Sequence, residues 1–155
     1  MQNNKVKLKF IDEHAKVLYL AKSSVNQEKS AIVQEEMNAG LQLYATKVSI
    51  DTELQIVTYH TGVCVEIPNN CVGDIRPRSS IYKYPLILAN GVGTVETTYR
   101  GALLVKFRYN LQLAVNSVDK YQNIDDFYKN EENFILSRSY QIGENIGQLV
   151  LLYKH

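Results

Sequence analysis

The sequence predicts an all-β fold, a barrel or sandwich of many short strands, on three observations. Apolar and polar residues alternate with period two over much of the chain, the pattern of strands with one wet and one dry face. The alternating runs are short and separated by turns rich in Gly, Pro and Asn. Eleven tyrosines and no tryptophan among 155 residues suit half-buried sheets. No internal repeat, linker or low-complexity tract interrupts the chain, so a single domain spanning 1–155 is expected.

Taken in order, Lys5 to Phe10 alternates charge and apolar residue as a strand. Glu28 to Met37 reads as two or three helical turns, with Ala31, Ile32 and Val33 clustered too closely for a clean amphipathic face. Gln42 to Val48, Leu54 to Val57, Gly62 to Ile67 and Gly73 to Arg76 read as further short strands. Ser79 to Tyr84 suits one helical turn, ended by Pro85 because a residue before proline is pushed out of the helical region. From Gly101 to Leu111, the residues Leu103, Val105, Phe107, Tyr109 and Leu111 share one face, and Leu104, Lys106, Arg108 and Asn110 the other. A polar insertion occupies about 112–140, with acidic residues Asp119, Asp125, Asp126, Glu131 and Glu132 and one helical turn at Ile124 to Tyr128. It is read as a solvated surface and a candidate protein-binding one. Ile146 to Tyr153 is a near-continuous apolar run suited to a strand buried on both sides.

Composition removes several function classes. The net charge of +1 offers no global field for nucleic acid or an anionic membrane. No apolar run approaches the length of a membrane span. Cys64 and Cys71 have no His partners at zinc-site spacing. They read as small buried or half-buried thiols, with a hairpin-spanning disulfide as the alternative. Met1-Gln2-Asn3-Asn4 leads straight into a charged strand, so a cytoplasmic protein, of a cell or encoded by a virus, is expected. His14, His60 and His155 are scattered without a nucleophile, and Glu66 reads as solvent-facing.

The residues with chemistry lie close together. Arg78-Ser79-Ser80 after Pro77 combines a guanidinium, two hydroxyls and the free backbone N–H groups of a turn entering a helix, a set suited to phosphate. Serines after a proline also serve as ordinary helix caps. Ten residues on, Asn90-Gly91-Val92-Gly93 gives a hairpin whose glycines admit a flat ligand close to the backbone. Glu96 and Tyr99-Arg100-Gly101 follow.

These motifs resemble the second and third sequence motifs of the trimeric dUTP diphosphatase (dUTPase) family. Ala39-Gly40-Leu41-Gln42-Leu43-Tyr44-Ala45 is similar to the first motif and Gly143-Glu144-Asn145-Ile146-Gly147-Gln148-Leu149 to the fourth. Tyr59 to Val63 and Ile67-Pro68 to Gly73 match the segments between, so the resemblance runs collinearly over residues 5–153. It implies a dUTPase-like β-clip barrel assembled as a homotrimer with sites between subunits. It also implies a nucleoside pocket from Asn90, Gly93 and Tyr99, a phosphate cradle from Arg78, Ser79, Ser80 and Gln148, and Glu96 as the base that activates water. Mg2+ would be held through the nucleotide phosphates, with no protein metal ligands.

Departures from the pattern bear on activity. Gln42 stands where the family carries an aspartate, Glu96 replaces an aspartate with one extra methylene, and Asn145 replaces an arginine. The family's C-terminal glycine-rich arm has no counterpart before His155, and the resemblance implies that its loss lowers turnover more than it harms the fold. A dCTP deaminase, related by fold, needs a glutamate near the position of Lys106, which argues against deamination. Three readings remain: hydrolysis of dUTP to dUMP and pyrophosphate, weakened by these changes; a regulator that binds a deoxyuridine nucleotide without cutting it; and a structural or interaction trimer of viral type.

Overall fold

The computed structural model describes residues 6–22, 25–26, 31–32, 40–116 and 130–154. Within them the strands are β1 (Val6–Phe10), β2 (Val25–Asn26), β3 (Ala31–Ile32), β4 (Leu41–Tyr44), β5 (Lys47–Asp51), β6 (Ile56–Glu66), β7 (Cys71–Arg76), β8 (Leu86–Leu88), β9 (Gly93–Val95), β10 (Ala102–Tyr109) and β11 (Asn145–Tyr153). Three short helices accompany them: α1 (Glu13–Lys22), α2 (Leu111–Asn116) and α3 (Glu131–Ser137), with a 3-10 turn at Ser79–Lys83.

Seven strands form one antiparallel sheet around β6 and four form a second in the order β4-β11-β7-β9. One edge of β6 is shared by β1, at Val63–Glu66, and β5, at Ile56–His60. Its other edge carries β10, which in turn pairs with β8. Inward-facing Val57, Tyr59, Val63 and Val65 of β6 meet Leu103, Val105, Phe107 and Tyr109 of β10 in the core. Leu43, Ile75, Ile146 and Leu149 of the second sheet join the same cluster. Each such side chain contributes about 1.5–3 kcal/mol by leaving water, so the period-two pattern is the energetic basis of the sheets.

Several expectations need correction. Gln42 to Val48 is two strands in different sheets, parted where Ala45 N–H bonds the Glu144 carbonyl and Thr46 N–H that of His60. Leu54 to Val57 and Gly62 to Ile67 belong at opposite ends of one strand, β6, interrupted by a bulge rather than a turn. Against β10 the register steps from Ala102↔Cys64 to Leu104↔His60, so β6 carries two extra residues there. Gly62 sits in that bulge at φ +74, where a Cβ would lie 2.7 Å from the Ala15 Cβ. Ala31–Ile32 is a strand against Val6 and Lys7, not part of a helix, and the remainder of the expected 28–37 helix falls outside the described residues. Leu111 begins α2 instead of ending β10.

α1 has no clear signature in the sequence. The run Val17-Leu18-Tyr19-Leu20 masks its helical period, and only Ala15 and Tyr19, four apart, are buried. Its end signals are regular: Ala15 N–H donates to Asp12 Oδ1 at 2.8 Å, Glu13 lies in the first turn and Lys22 in the last. Both complement the helix dipole.

The 112–140 region is less solvated than expected, since Ala114 and Ile135 are fully buried. Tyr109 OH also donates to Glu131 Oε1 at 2.8 Å. The turn expected at 124–128 lies outside the described residues. β11 is deeply buried at Ile146, Gly147 and Leu149 but not beyond, and Leu152 and Tyr153 are exposed. Cys64 is half-buried, Cys71 is buried and both are free thiols, while Glu66 is exposed and pairs with Lys7 at 3.3 Å. No helix among the described residues is long and apolar enough to cross a membrane.

Candidate functional site

Two groups of residues emerge where the sheets meet. The first surrounds a cavity of about 370 Å³ lined by Ile75, Asn90, Gly93, Thr94, Tyr99 and Lys106 among others. Its origin is topological. β8 and β9 flank one turn, yet β8 pairs with β10 in the larger sheet and β9 with β7 in the smaller. The hairpin therefore splays, and the space between its arms is the cavity.

Local sequence explains the mouth. Gly91 N–H bonds the Leu88 carbonyl at 3.0 Å, and Gly91 at φ +70 supplies the left-handed step. A Cβ on Gly93 would stand 3.2 Å from both Asn90 Nδ2 and Ile75 Cβ, so glycine keeps the Asn90 amide close to the backbone. On the far side Tyr99 N–H bonds the Glu96 carbonyl at 3.1 Å. Tyr99 OH donates to the Ala102 carbonyl at 2.9 Å. The Tyr99 ring lies over Gly101, where a Cβ would approach the phenol oxygen to 2.7 Å. Arg100 Nη1 braces this turn by donating to the Thr97 and Tyr99 carbonyls. Tyr-Arg-Gly thus builds the wall that presents the half-exposed Tyr99 ring. Glu96, at the end of β9, is exposed.

The second group gathers at the opposite edge of β7. Gln148 pairs with Arg76 on one side and with Gln42 on the other. Arg78 Nη1 donates to the Asn145 carbonyl at 3.3 Å, and Asn145 Nδ2 donates to Gln42 Oε1. Arg78 takes part in neither ion pair found among the described residues. Ser79 and Ser80 open the 3-10 turn, but its cap is Arg78 and no side chain caps it. The ordinary capping role open to these serines from sequence is therefore not the one they fill. Two phenols lie within the field of the guanidinium. Burial pushes Tyr44 up and Tyr140 up to about 12, in both cases against the opposing charge of Arg78.

Within one chain the sequence-derived site thus falls into two halves. Asn90, Gly93 and Tyr99 line the cavity with Glu96 beside it in sequence, whereas Arg78, Ser79, Ser80 and Gln148 do not line it. Lys106 and Ile75 also stand in the cavity wall, outside the residues the sequence marks. Lys106 follows the Tyr-Arg-Gly turn on the wet face of β10, which was the available signal. Ile75 carried none.

The donor set also bears on Mg2+. Among the described residues no three His, Cys, Asp or Glu side chains gather as metal ligands, and the amides of Gln42, Asn145 and Gln148 are neutral. Such a surface does not build a cage for a hard cation, which favours carboxylates and phosphate oxygens.

A family model for dUTPase matches residues 26–124, more than half of the chain. The chain belongs to the dUTPase family. A deoxyuridine 5'-triphosphate nucleotidohydrolase of Desulfitobacterium hafniense is 39% identical over 92 residues, covering 50% of this chain and 61% of that protein. One from Trichodesmium erythraeum is 30% identical over 100 residues, covering 64% and 61%. The chain thus spans less than two thirds of the length of these curated relatives. Among solved structures, a mutant dUTPase of phage phi11 of S. aureus superposes with a TM-score of 0.60 at 16% identity, covering 97% of this chain and 91% of that one. That phage protein coordinates a structural Mg(II) ion. A mutant dUTPase of Staphylococcus bacteriophage 80alpha with dUpNHpp gives 0.58 at 19%, covering 97% and 83%. At such identities these likenesses show the all-β dUTPase fold.

Proposed function

We propose that the protein hydrolyses dUTP to dUMP and pyrophosphate in clefts between the subunits of a homotrimer. The observation that carries this reading is the division of the site. One half is a cavity of nucleoside size without the serine-arginine turn, and the other is an arginine outside the ion pairs found among the described residues, beside two serines, none of which lines that cavity. Joining the halves across copies of the chain makes one site from two incomplete ones.

In such a cleft the splayed hairpin receives the base near Asn90 and the Gly93 backbone, with the Tyr99 ring against the sugar. Arg78, Ser79, Ser80 and Gln148 of a neighbouring copy take the phosphates, the arginine as a charged fork and the serines as donors. Mg2+ enters as part of the substrate, chelated by the triphosphate, where it offsets charge on the phosphate oxygens. Glu96 accepts a proton from a water as its oxygen bonds the α-phosphorus. The bond from that phosphorus to the bridging oxygen breaks, and pyrophosphate leaves with the electron pair.

The relatives named nucleotidohydrolases support the reaction, and the neighbour holding dUpNHpp supports the ligand class. The test is pyrophosphate release from dUTP with Mg2+ by protein shown trimeric in light scattering. Glu96→Ala is expected to lower kcat by at least about a hundredfold while leaving dUTP affinity within about threefold. Binding of dUTP without release at high protein concentration would leave a nucleotide-binding trimer and remove the hydrolase.

A further inference from the structure

We infer that Gln42 and Asn145 act as one positioning unit that aims the Arg78 guanidinium at a phosphate chain. The inference rests on the nucleotide reading above, and it concerns two residues which from sequence count only as separate departures from the family pattern.

Asn145 is the hub of three hydrogen bonds. Its carbonyl accepts from Arg78 Nη1 at 3.3 Å. Its Oδ1 accepts from Gly147 N–H at 3.1 Å. Its Nδ2 donates to Gln42 Oε1. The backbone explains why the carbonyl is available. Pairing between β11 and β4 steps from Asn145↔Tyr44 to Gly147↔Leu43, so β11 carries one extra residue. Such a bulge turns a carbonyl out of the ladder. Gly147 permits it, since a Cβ there would lie 2.8 Å from the Arg76 carbonyl oxygen. The side chain of Asn145 closes the bulge from within, and Gln42, on the neighbouring strand, ties it down from outside.

The chemistry of the holder matters as much as its geometry. A carboxylate that paired with the guanidinium would neutralise part of its charge. Here a neutral carbonyl, in a bulge held by two amides, meets the guanidinium, and the charge of Arg78 stays available. The two departures are therefore coupled, with the strut from Gln42 acting on Arg78 only through Asn145.

The experiment compares the full-length protein with Gln42→Ala, Asn145→Ala and the double variant. Calorimetry measures Mg2+-dUTP and, separately, inorganic tripolyphosphate, and 15N relaxation reads the order of the Arg78 guanidinium, assigned by its loss in Arg78→Lys. Each single change is expected to weaken both ligands about three- to tenfold, the double variant no further, and Arg78 to lose order in all three. Unchanged Arg78 order, or losses that multiply in the double variant, would overturn the coupling. If Asn145→Ala fails to fold, Gln42→Ala at its exposed position decides alone. Wild-type protein that binds tripolyphosphate with this dependence but not dUTP would sink the nucleoside reading and leave the positioning unit intact. Protein that binds dUTP equally well with and without Gln42 has the opposite meaning.

Discussion

Tyr140 carries the one buried side-chain polar atom without a hydrogen-bond partner among the described residues, its phenol oxygen, although the residue is only 1% exposed. An unpaired buried polar group costs about 1–3 kcal/mol. Tyr140→Phe is therefore expected to leave the urea midpoint unchanged or raise it. Tyr59→Phe has the opposite sign, because Tyr59 OH donates to the Tyr140 carbonyl at 2.8 Å. It should cost about 1 kcal/mol in the same assay. At this scale the sequence exposes Arg78, Ser79, Ser80, Asn90, Gly93 and Tyr99 because each sits in a short contiguous motif. The Gln42–Asn145 bond spans 103 positions and depends on a bulge in β11. No periodicity records a single extra residue.

Elements that are legible are those with one wet face. β1 and β10 alternate between buried and exposed positions and β7 between buried and half-buried ones, and their boundaries follow within a residue or two. α1 escapes because its apolar residues are consecutive while its interior contacts are four apart, leaving the cap as the better signal. Asp12→Ala should cost about 1 kcal/mol of stability, seen as a lower denaturation midpoint with unchanged slope. The long β6 looks like two pieces in the sequence because Gly62 resembles punctuation when it is a bulge. Gly62→Ala combines a positive φ with a Cβ 2.8 Å from Thr46 Cγ2. A loss well above about 1 kcal/mol is expected by denaturant titration; a smaller loss would mean the bulge relaxes easily.

For the whole molecule, a tyrosine-lined interior sets the alkaline limit. Burial holds the phenols of Tyr19, Tyr59 and Tyr109 above their ordinary value and Tyr140 at about 12. The unfolded chain loses these protons near pH 10 and the folded chain retains them. Above that pH the unfolded state binds fewer protons, so stability falls as pH rises. Melting temperature is expected to hold from neutral pH to about 10 and then drop steeply toward 12; a flat profile to 12 would contradict the tyrosine account. The two sheets also bear on solubility and assembly. Leu152 and Tyr153 at the end of β11, with Ile87 and Leu104 on the outer face of the larger sheet, remain uncovered in one chain. This is apolar surface that association would remove from water.

The splayed hairpin has a further use. Because Leu88 is laced into one sheet and Gly93 into the other, any compound wedged between them acts as a rivet across the seam. Occupancy alone should then raise the melting temperature in proportion to the logarithm of concentration. A thermal-shift screen of bare pyrimidine nucleosides would read that seam with no phosphate, no metal and no turnover.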